Sequence, residues 1–347
     1  MQRRVAVVGA SGYTGAELMR LLGAHPGVTV AAVTSEQSAG QAVEALFPSL
    51  AGHAPQVLRR LDPEAVAGAA ELVFLALPHQ TAMAAAVPIL DAGRRVVDLS
   101  ADFRFRDPQV YESWYRTAHV APALCPEAVY GLPEFHREAL KTARLAAVPG
   151  CYSAGVLLGL LPLLREGVID PEGIVITAAS GVSGAGRRVE VEYVFGEVHE
   201  NFKAYGVAGH RHTPEIGQEL SRAAGREVRV TFTPHLVPMT RGILGTSVVR
   251  LTRGVGTADL LALYRDAYKR EPFIRVLPEG RLPETKAVRG SNYCDVAAKV
   301  DARTGRAIVL TAIDNLMKGA SGQAIQCMNL MLDFEETAGL KAPALWP

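Results

Sequence analysis

Cys151 follows Pro149 and Gly150 and opens the apolar run CYSAGVLLGLLPLLREG, whose spacing predicts a helix. A cysteine at a helix N-terminus meets unpaired N–H groups and the positive end of the helix dipole. Both favour the reactive thiolate, and the same N–H groups can receive a developing oxyanion. The chemistry indicated is nucleophilic catalysis. A small buried thiol is the alternative, and Cys125, Cys294 and Cys327, which lack such a setting, are read that way. Downstream, Gly209-His210-Arg211-His212-Thr213-Pro214-Glu215 supplies proton carriers. Thr213 is expected as N-cap, Pro214 as the first helical residue, and Glu215 as a first-turn acid within reach of a substrate. If the approach to that helix is extended, His210 and His212 share a face and Arg211 points away. One of the two histidines is expected to be the general acid/base, with His210 preferred, and purely local hydrogen bonding is the alternative.

A second constellation is Gly9-Ala10-Ser11-Gly12-Tyr13-Thr14-Gly15, a G-x-x-G-x-x-G between a predicted strand and a predicted helix. Glycines there allow a tight turn and let backbone N–H groups approach a pyrophosphate, while the helix dipole faces its charge. The loop is expected to bind a dinucleotide. The next strand ends in Thr34-Ser35-Glu36-Gln37-Ser38. NAD enzymes usually place an acid at this strand's end to hold the ribose hydroxyls. Ser35 could instead hydrogen-bond a 2′-phosphate, which favours NADP over NAD, although the carboxylate of Glu36 opposes that phosphate and the loop holds no arginine.

Three further groups could meet a substrate's anionic parts. Ser180-Gly181-Val182-Ser183-Gly184-Ala185-Gly186 offers the hydroxyls of Ser180 and Ser183 and a permissive backbone at Gly181, a phosphate cradle or else a flexible hairpin loop. Arg104 stands just past a predicted strand, at the sheet edge where such folds bind ligands, and Arg241 follows a later strand. A surface ion pair is the alternative for each arginine.

These residues need a scaffold, and the chain's texture predicts one. RVAVVG, VTVAAVTS, ELVFLALP, RRVVDLS and RLAAVPG read as strands, alternating with the helical stretches ELMRLLGAHP, PEAVAGAA and TAMAAAVPILDAG. That alternation predicts a Rossmann-like, doubly wound parallel sheet. Residues 102–137, rich in aromatics, proline and charge, read as an irregular functional excursion. Beyond Cys151, GIVITAAS, REVRVTFTPHLVP, GILGTSVVRLT and RAIVLTAID read as longer strands with one helix, ADLLALYRDAYKR. The expectation is a second α+β domain with a largely antiparallel sheet. A last helix near KGASGQAIQCMNLMLDF is apolar enough to pack back on the first. The expected domains are 1–150 with 318–347 for the dinucleotide, and 151–317 for catalysis, substrate and oligomerisation.

At 347 residues two domains are the natural size, and a net charge of +1 advertises no nucleic-acid surface. No window has the roughly 18 apolar residues of a membrane span, and the amino-terminal stretch is no cleavable signal. Four scattered cysteines without a C-x-x-C pair suggest neither zinc nor disulfides. A cytoplasmic protein with no metal, nucleic-acid or membrane partner is expected.

Taken in order, GASGYTG, ALPH, DLSADFR, PGCY, SGVSGAG, GHRHTPEI, TRGIL and DNLMKGASGQAIQ closely resemble the N-acetyl-gamma-glutamyl-phosphate reductase family. The resemblance spans Val7 to Gln326. It implies the fold shared with aspartate-semialdehyde and glyceraldehyde-phosphate dehydrogenases, NADPH as reductant, and an acyl phosphate as small-molecule substrate, giving the semialdehyde. It implies Cys151 as nucleophile, the His210/His212 pair as base, cofactor contacts at Gly12, Gly15, Pro78 and His79, and a cofactor-side amide at Asn315. A homodimer or homotetramer is expected. Many members carry an arginine soon after the second strand, and SEQSAG departs from that pattern. The alternatives are the same reaction on the aminoadipyl phosphate of lysine biosynthesis and a non-catalytic nucleotide sensor.

Overall fold

A computed structural model describes residues 2–53, 56–187 and 189–346, so of the expected domain spans only Met1, Ala54, Pro55, Arg188 and Pro347 lie outside. The chain forms two compact units, residues 1–149 with 320–342, and residues 150–319 with 343–347.

The first unit begins with β1 (Arg3–Val8), α1 (Tyr13–Gly23), β2 (Val28–Thr34), the short α2 (Val43–Leu46), α3 (Pro63–Ala69), β3 (Leu72–Leu75), α4 (Ala82–Asp91) and β4 (Arg95–Asp98). It continues through α5 (Pro108–Tyr115), β5 (Val129–Tyr130), α6 (Pro133–Thr142) and β6 (Leu145–Ala147). Its six strands pair in the order β2-β1-β3-β4-β6-β5, every pair parallel. Val5 to Val8 and Leu72 to Leu75 are almost wholly buried, as befits strands covered on both faces. Strand order reverses between β1 and β3, so their carboxyl ends open the crevice where doubly wound sheets take ligands.

Residues 102–137 are more regular than the sequence reading expected. Asp107 caps α5 by accepting the Gln109 N–H, with Pro108 at the first helical position. Phe103, Phe105, Tyr111 and Tyr115 join the core under this segment, so its aromatics are packing residues.

The second unit runs α7 (Cys151–Arg165), β7 (Ile174–Ser180), α8 (Phe195–Val198), β8 (Lys203–Ala204), α9 (Thr213–Ala224), β9 (Val230–Leu236) and β10 (Ile243–Arg250). It ends with α10 (Thr257–Ala267), β11 (Ile274–Val276), β12 (Cys294–Asp301) and β13 (Arg306–Ile313). The seven-stranded sheet has the order β11-β12-β13-β10-β7-β9-β8 and is antiparallel except at β11/β12 and β7/β9. Helix α7 is apolar all round and buried along its length, packed on α9, α10, β10 and β13. Pro162 inside it has no N–H to offer the carbonyl of Leu158, one turn back, and the Tyr268 hydroxyl donates to that carbonyl instead at 2.5 Å.

The last helix, α11 (Gly322–Met331), belongs to the first unit and packs on α1 and α6. The expected helix starts earlier; residues Met317–Ser321 are instead a π-turn. All ten residues of α11 are buried; the Gln323 amide nitrogen donates to the Gly131 carbonyl, and Asn329 to the carbonyls of Glu336 and Ala338. No helix among the described residues is long and apolar enough to cross a membrane.

Candidate active site

In the first unit the glycine loop joins β1 to α1 as expected. Gly9 has φ +90°, and a Cβ there would stand 2.4 Å from the Ala76 carbonyl oxygen, so only glycine lets the loop lie against the ALPH turn after β3. A Cβ on Gly15 would meet Ala10 Cα at 2.5 Å, which fixes how tightly α1 folds back on the loop. Gly12 is the N-cap and has no side chain to cap the helix, so the first-turn N–H groups around Tyr13 and Thr14 face outward uncapped. Such a start fits a pyrophosphate. Ser11 Oγ shares a 2.8 Å hydrogen bond with Ser35 Oγ, and Ser35 Oγ also accepts the Ser38 N–H at 3.2 Å. The hydroxyl of Ser35 thus ties the glycine loop to the end of β2.

The ALPH turn is braced from below. Asp102, fully buried, accepts the N–H groups of Gln80 and Met83 and the Tyr111 hydroxyl. That bracing holds Gln80 at φ 78°, an uncommon conformation for a side chain of its kind. Pro78 accepts the Thr81 hydroxyl on its carbonyl. His79 Nδ1 accepts the Ala101 N–H at 3.0 Å, which leaves its proton on Nε2. Asp98 receives the N–H and hydroxyl of Ser100, and burial, with Asp102 nearby, pushes its carboxyl up to about 7. Arg104 is buried, not at the surface. Its guanidinium donates to the carbonyls of Val148, 2.8 Å, and Leu99, 3.2 Å, and so secures the chain just ahead of Pro149-Gly150.

In the second unit Cys151 is the first residue of α7, with Gly150 as an N-cap that lends no side-chain hydrogen bond. The thiol is partly exposed, unlike the other three cysteines. Three glycine or carboxylate contacts shape its surroundings. The fully buried Glu215 accepts the Gly150 N–H at 2.8 Å. A Cβ on Gly150 would lie 2.4 Å from His212 Nε2, and one on Gly319 would lie 2.8 Å from Cys151 Cβ. His212 therefore rests on the residue preceding the cysteine, and the π-turn rests on the cysteine itself.

The histidine segment is a turn, so the condition of an extended approach is not met, yet it brings both rings together, 4.8 Å apart and 80° inclined. His212, not Thr213, is the N-cap of α9, and Thr213 and Pro214 are its first two residues. His210 Nδ1 accepts the His212 backbone N–H at 3.1 Å, so its proton sits on Nε2. Burial, with Arg211 adjacent, lowers the His210 imidazole to about 4. Tyr152, which the sequence reading passed over although it follows Cys151 directly, packs edge-on against both imidazoles. Its hydroxyl meets that of Tyr205 at 2.8 Å, and burial raises both phenols so that they stay protonated.

The SGVSGAG loop is clamped, not flexible. Gly181, Val182 and Ser183 donate their N–H groups to the carbonyls of Gly242, Met239 and Thr240, and Gly184 and Gly186 donate within the loop. Its backbone is spent on structure, so side chains are what it has for a ligand. Ser180 Oγ donates to the Gly181 carbonyl, and Ser183 Oγ accepts from Asn315 Nδ2 at 2.9 Å. Asn315 Oδ1 takes the Gly242 N–H at 2.7 Å, so this amide bridges the two loops of the second unit. Arg241 makes a mostly buried ion pair with Asp314, Nε to Oδ2 2.9 Å, and Asp314 also accepts the N–H groups of Gly290 and Leu316. Among the described residues no group of three His, Cys, Asp or Glu side chains is placed to hold a metal.

Residues 4–143 match the model of the semialdehyde dehydrogenase NAD binding domain, and residues 151–315 that of the semialdehyde dehydrogenase dimerisation domain. Among solved structures the fold is similar to aspartate semialdehyde dehydrogenase II from Vibrio cholerae, with TM-score 0.75 and 18% identity over 96% of this chain and 99% of that one. It is also similar to aspartate semialdehyde dehydrogenase with NADP from Candida albicans, with TM-score 0.69 and 18% identity over 95% and 98%. Much closer in sequence are proteins named N-acetyl-gamma-glutamyl-phosphate reductase. The one from Geobacter metallireducens is 57% identical over 99% of both chains, and the one from Desulforudis audaxviator 54% over the same shares. With both halves matched and the likeness running the whole length, the chain belongs to the N-acetyl-gamma-glutamyl-phosphate reductase family of semialdehyde dehydrogenases.

Proposed function

We propose that the protein reduces N-acetyl-γ-glutamyl phosphate to N-acetylglutamate 5-semialdehyde and phosphate in arginine biosynthesis, with NADPH as reductant and a thioester on Cys151 as intermediate. The observation that carries this reading is Cys151 at an uncapped helix start with the His212 imidazole lying on its neighbour Gly150, in a chain 57% identical to a protein of that name.

The Cys151 thiolate attacks the acyl carbon, and the carbon–oxygen bond to phosphate breaks with its electron pair leaving on phosphate. The N–H groups of the first turn of α7 receive the developing oxyanion. NADPH, when bound at the glycine loop, supplies the hydride that reduces the thioester carbon. His212 moves the proton: it protonates the oxygen of the thiohemiacetal and takes that proton back as the carbon–sulfur bond breaks to give aldehyde and thiolate. Burial lowers the basicity of His210, and its acceptance of the His212 N–H makes it the residue that positions its neighbour. Glu215 positions Gly150, Arg104 the chain leading to it, and Asn315 the two loops it bridges. Ser180, Ser183 and Arg241 are the substrate's polar contacts, with Asp314 aiming the guanidinium.

The family description of residues 151–315 as a dimerisation domain supports a homodimer or homotetramer, as do Val189, Val191, Phe195 and Phe202, all well exposed. A soluble acyl phosphate and NADPH as reactants support a cytoplasmic setting. The test is phosphate-dependent oxidation of N-acetylglutamate semialdehyde by the purified protein with NADP. Turnover that Cys151→Ser abolishes is expected. Near-normal turnover in that variant, or faster turnover of the aminoadipate analogue, overturns the reading.

A further inference from the structure

A nicotinamide cofactor with a 2′-phosphate needs a cation near the end of β2, and the loop that follows, SEQSAG, has none. Within residues 34–61 the arginines are Arg59 and Arg60 alone, and lysine is absent. The fold brings them to the place the loop leaves bare. Arg59 forms a parallel bridge with Thr34: its N–H donates to the Val33 carbonyl at 3.1 Å, and its carbonyl accepts the Ser35 N–H at 2.9 Å. One step on, Leu61 donates its N–H to Glu36 Oε1 at 2.9 Å. Residues 59–61 therefore run beside residues 34–36 at the free edge of β2, held by one parallel bridge and the Glu36 contact.

The charges are arranged to suit an anion. Glu36, the residue that would repel a phosphate, has a carboxylate oxygen turned onto the Leu61 backbone. Asp62, the next acid along, is occupied in capping α3 through the N–H groups of Glu64 and Ala65. Arg59 and Arg60 are both exposed, and among the described residues neither guanidinium has a hydrogen-bond or ion-pair partner. Two adjacent exposed guanidiniums leave a local positive potential that attracts an anion. A guanidinium matches phosphate with its paired donors, and Ser35 stands next to the pair with its hydroxyl already oriented by Ser11.

We propose that Arg59 and Arg60 form the 2′-phosphate site of this protein, presented by the segment paired alongside β2 in place of an arginine in the loop after it. The inference rests on NADPH being the reductant. It makes cofactor choice in this chain a property of residues 59–61, with Glu36 held out of the way by the same segment.

Equilibrium titration of the full chain by calorimetry, with NADPH, NADH and adenosine 2′-monophosphate as probes, tests this without turnover. Wild type is expected to bind NADPH more tightly than NADH. The double variant Arg59→Ala, Arg60→Ala should lose about tenfold or more for NADPH and for adenosine 2′-monophosphate while keeping its NADH affinity. Adding Glu36→Arg to the double variant should restore the preference, since it returns a guanidinium to the loop. Unchanged NADPH-to-NADH ratios in the double variant overturn the proposal while leaving the reductase reading intact. A wild type that prefers NADH overturns it too, and a wild type that binds neither dinucleotide overturns both.

Discussion

The imidazole of His212 lies on the α-carbon of Gly150, so close that a Cβ on Gly150 would stand 2.4 Å from Nε2. Gly150 has φ −62° and ψ 147°, which any residue adopts, so glycine is required by the neighbour and not by the backbone. Gly150→Ala should displace the ring from the cysteine and lower kcat by about 10- to 100-fold, a loss of orientation. NADPH affinity, measured by titration, should not change.

The two histidines are expected to separate in kinetics. His212→Gln should lower kcat by about 10²- to 10⁴-fold, the range for removing an acid/base group, and flatten the pH profile of kcat/KM. His210→Gln should lower kcat less and keep the profile's shape, because His210 acts through the His212 N–H. A flattened profile in His210→Gln alone would reverse the assignment.

Much of the site was legible in sequence because it is local. The loop from Gly9 to Gly15, the Cys151 turn and the histidine pair are short motifs whose position between a strand and a helix carries their meaning. What stayed hidden depends on pairing across the chain. Arg59 cannot be seen as a neighbour of Ser35 until the parallel bridge to Thr34 is formed. The buried Arg104 and the Arg241–Asp314 pair look like surface charges until their partners are known. The strand β12 went unnoticed because CDVAAKVD mixes charge into a run that is nonetheless mostly buried. The H-R-H alternation is compatible with an extended segment and does not reveal that the chain is turning into α9.

Two buried groups should pull stability in opposite directions with pH. The Asp98 carboxyl rises from 3.8 to about 7 on folding, so the native state keeps a proton that the unfolded chain has lost. Its contribution is fully present below 3.8 and declines as pH climbs to about 7, by up to about 1.4 kcal/mol per pH unit. The His210 imidazole falls from 6.5 to about 4, so its contribution is present above 6.5 and declines as pH drops to about 4. Urea unfolding at several pH values should show Asp98→Asn gaining stability over wild type as pH rises towards 7. His210→Gln should gain over wild type as pH falls towards 4. Parallel curves for wild type and either variant would remove that group from the account.

The hydroxyl of Tyr268 replaces a hydrogen bond that Pro162 deletes, and this can be measured as a coupling. Tyr268→Phe leaves the Leu158 carbonyl buried without a donor and should cost about 1–3 kcal/mol in unfolding free energy. Pro162→Ala returns an N–H one turn below Leu158 and lets the helix satisfy that carbonyl itself. In the Pro162→Ala background the Tyr268→Phe penalty should therefore shrink by more than about 0.5 kcal/mol, the scatter expected of independent sites. If the two penalties simply add, the tyrosine is packing against α7 and its hydroxyl is not standing in for the missing amide.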